Sequence, residues 1–154
     1  MFRSQFHFID RIGTEEFVDG SPSNRKISIS PERAADKIRA LGKLLGADLV
    51  RTGPLDQRWM YSHMGCTIGN KDGYKSWGTA IDLTHHTNAV ALGFKMNLDL
   101  LASAPHFPTL LATTEAYAES AWTAVRLAAY IRMLGFSARA PLQQLSGPGC
   151  PGSG

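Results

Sequence analysis

Cysteine is scarce in this chain: it holds two, Cys66 and Cys150. Two thiols do not make the disulfide framework of a small secreted domain. The same count excludes a 4Fe–4S cluster held by this chain alone, because such a cluster takes four cysteine thiolates. Long hydrophobic runs are also missing. No stretch reaches the roughly 18 consecutive apolar residues of a membrane helix, so no membrane span is expected. The opening residues, Met1-Phe2-Arg3-Ser4-Gln5-Phe6-His7-Phe8, lack the basic region, apolar run and small-residue cleavage site of a signal peptide. There is no twin-arginine pair, and a cytoplasmic location is expected. Nor is there a large excess of one charge. The formal net charge is +3, with acidic residues interspersed among basic ones, so the chain has no nucleic-acid footprint. Internal repeats are absent.

What is present suits one soluble domain. The chain has 154 residues, 44% of them hydrophobic, a size at which roughly 70% of the unfolded surface is buried on folding. Residues 1–29 carry turn-formers, Asp19-Gly20-Ser21-Pro22-Ser23-Asn24, and are read as an irregular arm. Residues 30–141 form the domain proper, and residues 142–154 a Gly/Pro-rich tail.

Ser30-Pro31-Glu32 is a helix start: Ser30 can cap, Pro31 suits the first helical position and Glu32 the positive end of the dipole. Ala34, Ile38, Leu41 and Leu45 recur at helical spacing, and Gly46 ends the helix. Ala47–Arg51 reads as a strand closed by Gly53-Pro54. The polar stretch from Asp56 to His86 is long for a connector. Asn88–Phe94 is nearly continuously apolar, as in a central strand covered on both faces. A short helix follows around Leu98, Leu100 and Leu101, broken at Ala104-Pro105. A long helix is expected from about Phe107 to Leu134, stopped by Gly135, with Ser137–Ala140 as the next strand. Strand, helices and strand make a crossover with parallel strands. The sheet is then either small or cut short by truncation of the chain.

The long helix carries two apolar stripes, one through Thr113, Tyr117, Ala121, Ala124, Ala128 and Ile131, the other through Ala118, Trp122, Val125, Ala129 and Met133. A helix apolar almost all round is a buried one. Tyr117 and Thr113, four apart, share a face. From pattern alone, Tyr117 is a core residue whose hydroxyl needs a partner.

Other constellations are weaker. His63, Cys66, His85 and His86 have zinc-ligand types, but adjacent residues on an extended segment point to opposite sides. They read as polar loop residues, and no metal site is assigned. Trp59, Tyr61 and Trp77 could stack on a flat ligand, but read as packing of the long loop. Gly69-Asn70-Lys71-Asp72-Gly73 lacks the Gly-Lys-Ser/Thr end of a phosphate loop. No nucleophile elbow is visible.

Several segments taken in order carry a resemblance. They are Ala34–Ile38 with Leu44–Val50, Asp56–Ser62, Asn88–Met96, Ala104-Pro105, Thr113-Thr114 with Tyr117, and Ile131–Phe136. In that order and spacing the chain resembles cobalamin-dependent reductive dehalogenases over about Pro31 to Ala140. Epoxyqueuosine reductases share the architecture and match less well. The resemblance implies an α/β (α+β), nitroreductase-like corrinoid-binding core, here incomplete. It implies a cobalamin cofactor and, in the full-length family, two 4Fe–4S clusters in a following ferredoxin-like part. The implied reaction is reductive removal of halide from an organohalide, with electrons arriving from a donor or from the missing C-terminal part. Tyr117 matches the family's proton donor, Thr113 a small hydroxyl residue near the corrinoid, and Gln143 a polar amide of the pocket.

A tyrosine with pKa about 10 is a poor acid at neutral pH unless a cation lowers it. In the family that cation lies downstream of this region. Arg126 and Arg132 are nine and fifteen residues beyond Tyr117, more than about 13 Å along a helix. The chain is therefore expected to be inactive alone. The alternatives are a non-catalytic corrinoid-binding or interaction module, and a truncated epoxyqueuosine-reductase-like protein.

Overall fold

The computed structural model describes residues 2–13, 15–63 and 80–140. Helix α1 spans Phe2–Ile12, α2 Glu15–Asp19 and α3 Pro31–Leu44. Strand β1 (Leu49–Pro54) and a 3-10 turn at Gln57–Trp59 follow, then strand β2 (Asn88–Gly93). Helix α4 covers Leu98–Leu101, and α5 covers Phe107–Met133. Mixed helix with a small sheet fits a coarse α/β class.

Local signals set most of these boundaries. At the start of α3 the Ser30 hydroxyl accepts from the Arg33 N–H at 3.4 Å, with Pro31 in the first turn. Gly46, at φ 109°, turns the chain out of that helix where a β-carbon would be strained. Asn97 caps α4, its side chain accepting from the Leu100 N–H at 3.1 Å. Gly135, at φ 86°, follows α5.

The sheet has two strands, β1 and β2, paired antiparallel from Leu49 opposite Gly93 to Pro54 opposite Asn88. This corrects the expected parallel crossover. Ser137–Ala140 is not a strand; its Ala140 N–H donates instead to the Val18 carbonyl at 2.9 Å. Antiparallel strands need no helical crossover between them, unlike the parallel pair expected. Nor is β2 covered on both faces: none of its residues is fully buried. The N-terminal arm, expected to be irregular, holds α1 and α2.

Helix α5 is the centre of the molecule, touching α1, α2, α3, α4 and β2. Its Val125 and Ala128 meet Ala140 in the core, with Ala124 and Ala138 packed against them. Thr123, fully buried on α5, donates from its hydroxyl to the Leu45 carbonyl at 3.0 Å, tying α5 to the end of α3. Among the described residues no helix is long and apolar enough to cross a membrane.

Candidate functional site

The middle of α5 places Thr113 and Tyr117 one turn apart, both half-buried. The Thr113 hydroxyl donates to the Thr109 carbonyl at 3.0 Å, so its proton is taken by the helix and an acceptor lone pair is left for a ligand. Ser120 likewise donates back to the Tyr117 carbonyl at 3.0 Å. Among the described residues nothing hydrogen-bonds the Tyr117 hydroxyl. Gln143, the third expected site residue, lies outside the described residues, as do Cys66 and Trp77.

Neither arginine of α5 serves Tyr117. The Arg126 guanidinium lies 5.5 Å from the centre of the Trp122 ring. That ring in turn meets Phe8 of α1 at 5.7 Å. Arg132 is buried and committed to the backbone: it donates to the carbonyls of Val18 (3.2 Å), Ala138 (2.8 Å) and Phe17 (2.8 Å). Burial pulls the guanidinium below its ordinary value, against the opposing charge of Asp19.

The Phe17 and Val18 carbonyls belong to a strap, residues 17–27, that crosses the end of α5. The Ser23 N–H donates to the Arg132 carbonyl at 2.8 Å and the Ile27 N–H to the Leu134 carbonyl at 3.1 Å. Arg139 pairs with Asp19 at 2.5 Å. The signal for this in the sequence is the place of Arg132 in the last turn of α5: cations there meet the free carbonyls of a helix end.

The histidines do not gather around a metal. His63 bridges to Ala80, and its Nδ1 lies 2.8 Å from the Ser62 hydroxyl. The rings of His85 and His86 stand 4.1 Å apart. They do not diverge as extended neighbours would, because Thr84 and His85 form a turn. Asp82 builds that turn by accepting from the Thr84 N–H at 3.0 Å and the Thr84 hydroxyl at 2.6 Å. Those bonds hold the Asp82 carboxyl below its usual range. Among the described residues no three His, Cys, Asp or Glu side chains are arranged to bind a metal ion.

Two surface grooves flank α5. One, of about 370 Å³, is lined by Glu16, Gly20, Ser23, Arg132 and Met133 among others. The other, of about 160 Å³, lies between Lys95–Asn97 and the Glu115/Glu119 side of the helix. Neither is lined by Tyr117 or Thr113. Pockets for drug-sized ligands run from about 300 to 1,000 Å³, and a corrinoid is larger. No protein-family model matches the chain, and no curated protein matches it.

Proposed function

We propose that the chain is part of a reductive dehalogenase, built on a nitroreductase-like core, whose Thr113 and Tyr117 form one wall of a corrinoid site. The observation that carries this reading is the half-buried Tyr117, one helical turn after Thr113, with its hydroxyl unclaimed by any described residue. It is joined by the ordered segments that resemble the family from Pro31 to Ala140. Tyr117 is the proposed proton donor for reductive removal of halide from an organohalide, and Gln143 a proposed pocket residue. With two cysteines the chain does not hold a 4Fe–4S cluster alone, and Arg126 and Arg132 are engaged with other groups. On this reading the chain is inactive until a further protein part supplies the clusters and the cation. A cytoplasmic setting and an electron donor as partner belong to the same proposal.

A second reading, a non-catalytic corrinoid-binding module, is favoured by one observation: both arginines downstream of Tyr117 on α5 are engaged with other groups. One experiment addresses both. Purified chain is titrated with cobalamin and followed by visible absorbance. A saturable change, preserved in Tyr117→Phe, is expected, since that substitution removes only a hydroxyl. Binding without dehalogenation, even when a low-potential donor and the missing cluster part are supplied, selects the module. No spectral change up to millimolar cobalamin overturns both.

A further inference from the structure

The two-stranded sheet has two outer edges, and they are built differently. Which backbone groups each edge presents follows from the register. The Leu55 N–H donates to the Thr87 carbonyl at 2.9 Å, continuing the ladder in which Pro54 stands opposite Asn88. Bonded and non-bonded pairs alternate along an antiparallel ladder. Gly53–Ala89, Arg51–Ala91 and Leu49–Gly93 are then the bonded pairs. Val50, Thr52 and Pro54 aim their N–H and C=O groups off the outer side of β1, and Asn88, Val90 and Leu92 aim theirs off the outer side of β2.

The edge of β1 is closed. Pro54 brings no N–H to it. Val50 is 1% exposed, and its carbonyl accepts from the Arg51 guanidinium at 3.4 Å. Arg39 donates to the Thr52 hydroxyl at 3.1 Å. Charges and proline are the devices that keep a sheet edge from pairing. The edge of β2 has none of them: its sequence is Asn88-Ala89-Val90-Ala91-Leu92-Gly93, without a charge or a proline. Asn88 and Ala91 are exposed and the other four residues half-buried. Among the described residues nothing hydrogen-bonds the outward backbone groups of Val90 and Leu92.

We propose that this edge pairs with the same edge of a second copy of the chain, giving a four-stranded sheet in the order β1-β2-β2-β1. The strand is its own complement. With a twofold axis through Val90, Asn88 of one copy stands opposite Leu92 of the other, and each outward N–H meets an outward C=O, a ladder of about six bonds. The chain carries a net charge of +3, but β2 brings no charge to this seam. Pairing through β1 would bring Arg51 of both copies to one seam, where like charges destabilise. A two-stranded sheet is marginal alone, and the added strands relieve that. The seam is six residues long, which is short for a permanent interface, so the dimer is a weak one. It does not depend on the corrinoid reading.

Sedimentation equilibrium of the full chain tests it, from about 10 µM to about 1 mM, the range in which an interface under about 1,200 Å² dissociates. The mass should rise from 16.8 kDa toward twice that value. Over the same range the Val90 and Leu92 amides should slow several-fold in hydrogen exchange, while the Ala91 amide, already bonded to β1, keeps its rate. Val90→Pro removes an outward N–H and spares the ladder to β1. Ala91→Lys places a charge on an exposed position of the same strand. Both should stay at 16.8 kDa, and if Val90→Pro fails to fold, Ala91→Lys decides alone. A mass that never rises overturns the proposal. So does association that survives Ala91→Lys, or a Val90 amide already protected at the lowest concentration.

Discussion

Arg132 shows how one side chain can hold two ends of a chain together. Arg132 is 6% exposed, and its guanidinium donates to the carbonyls of Phe17, Val18 and Ala138. A charge so placed remains a cation at any accessible pH, and it also complements the negative end of α5. Removing it leaves the Phe17 and Ala138 carbonyls without their donor, while the Val18 carbonyl keeps the Ala140 N–H. Unsatisfied buried groups cost about 1–3 kcal/mol each, and some will find water once the strap loosens. Arg132→Met is therefore expected to destabilise the chain by roughly 3 kcal/mol in urea unfolding. Arg132→Lys keeps the charge but lacks the planar fork that reaches separate carbonyls, and should fall between the two. A loss under about 1 kcal/mol for Arg132→Met would show that the strap is held by other contacts.

At the scale of elements, α3 lies on the sheet at a glycine. A β-carbon at Gly42 would meet Val50 Cγ2 at 2.9 Å, Val50 Cγ1 at 3.3 Å and Leu92 Cδ2 at 3.5 Å. Alanine is favoured over glycine in a helix by about 1 kcal/mol, so propensity alone predicts that Gly42→Ala stabilises. Packing decides otherwise. Val50 is β-branched and 1% exposed, so it has few rotamers and nowhere to swing. Overpacking of about 1–3 kcal/mol should outweigh propensity, leaving Gly42→Ala about 1 kcal/mol less stable. Adding Val50→Ala opens the space the new methyl needs. The double-mutant cycle should therefore show a favourable coupling, and strict additivity would place the tightness elsewhere.

The same elements show what was legible in the sequence. The start of α3 could be read from Ser30-Pro31-Glu32 and its end from Gly46, because caps and glycine turns are local. The long helix was placed to within one residue at its C-terminal end, Leu134 against Met133, because Gly135 marks it. Strand pairing is non-local and was missed. The apolar run of β2 looks the same whether it is central or one of two strands. Helix α1 carries Phe2, Phe6 and Ile9 at helical spacing, a signal weaker than the turn-formers of residues 19–24 that follow it. Of the candidate site, the sharing of one helix face by Thr113 and Tyr117 was legible. The engagement of Arg132 with the Phe17 and Val18 carbonyls, more than a hundred residues away, was not. It depends on how distant segments fold together.

The whole molecule is built on small side chains. Among the described residues the central cluster is Val125, Ala128 and Ala140, and the largest fully buried side chains are Val50, Thr114 and Thr123. Larger apolar groups, Leu44, Trp59, Tyr61, Leu98 and Met133 among them, are largely exposed. Hydrophobic stabilisation scales with the apolar area removed from water, about 25 cal/mol per Å². Alanine and threonine remove little of it, and a two-stranded sheet is marginal unless helices support it. Stability should therefore sit near or below about 5 kcal/mol, the low end for folded domains. With an m-value of about 1.5 kcal/mol/M, that places the urea midpoint near 3 M or lower. The same thin core makes the chain sensitive to anything that binds only its folded form. Cobalamin at a hundred times its dissociation constant would add about 2.7 kcal/mol, raising the midpoint by nearly 2 M at that slope. A midpoint above about 5 M without ligand would contradict the thin-core account. A low midpoint that cobalamin leaves in place would keep that account and remove the proposed wall of the corrinoid site.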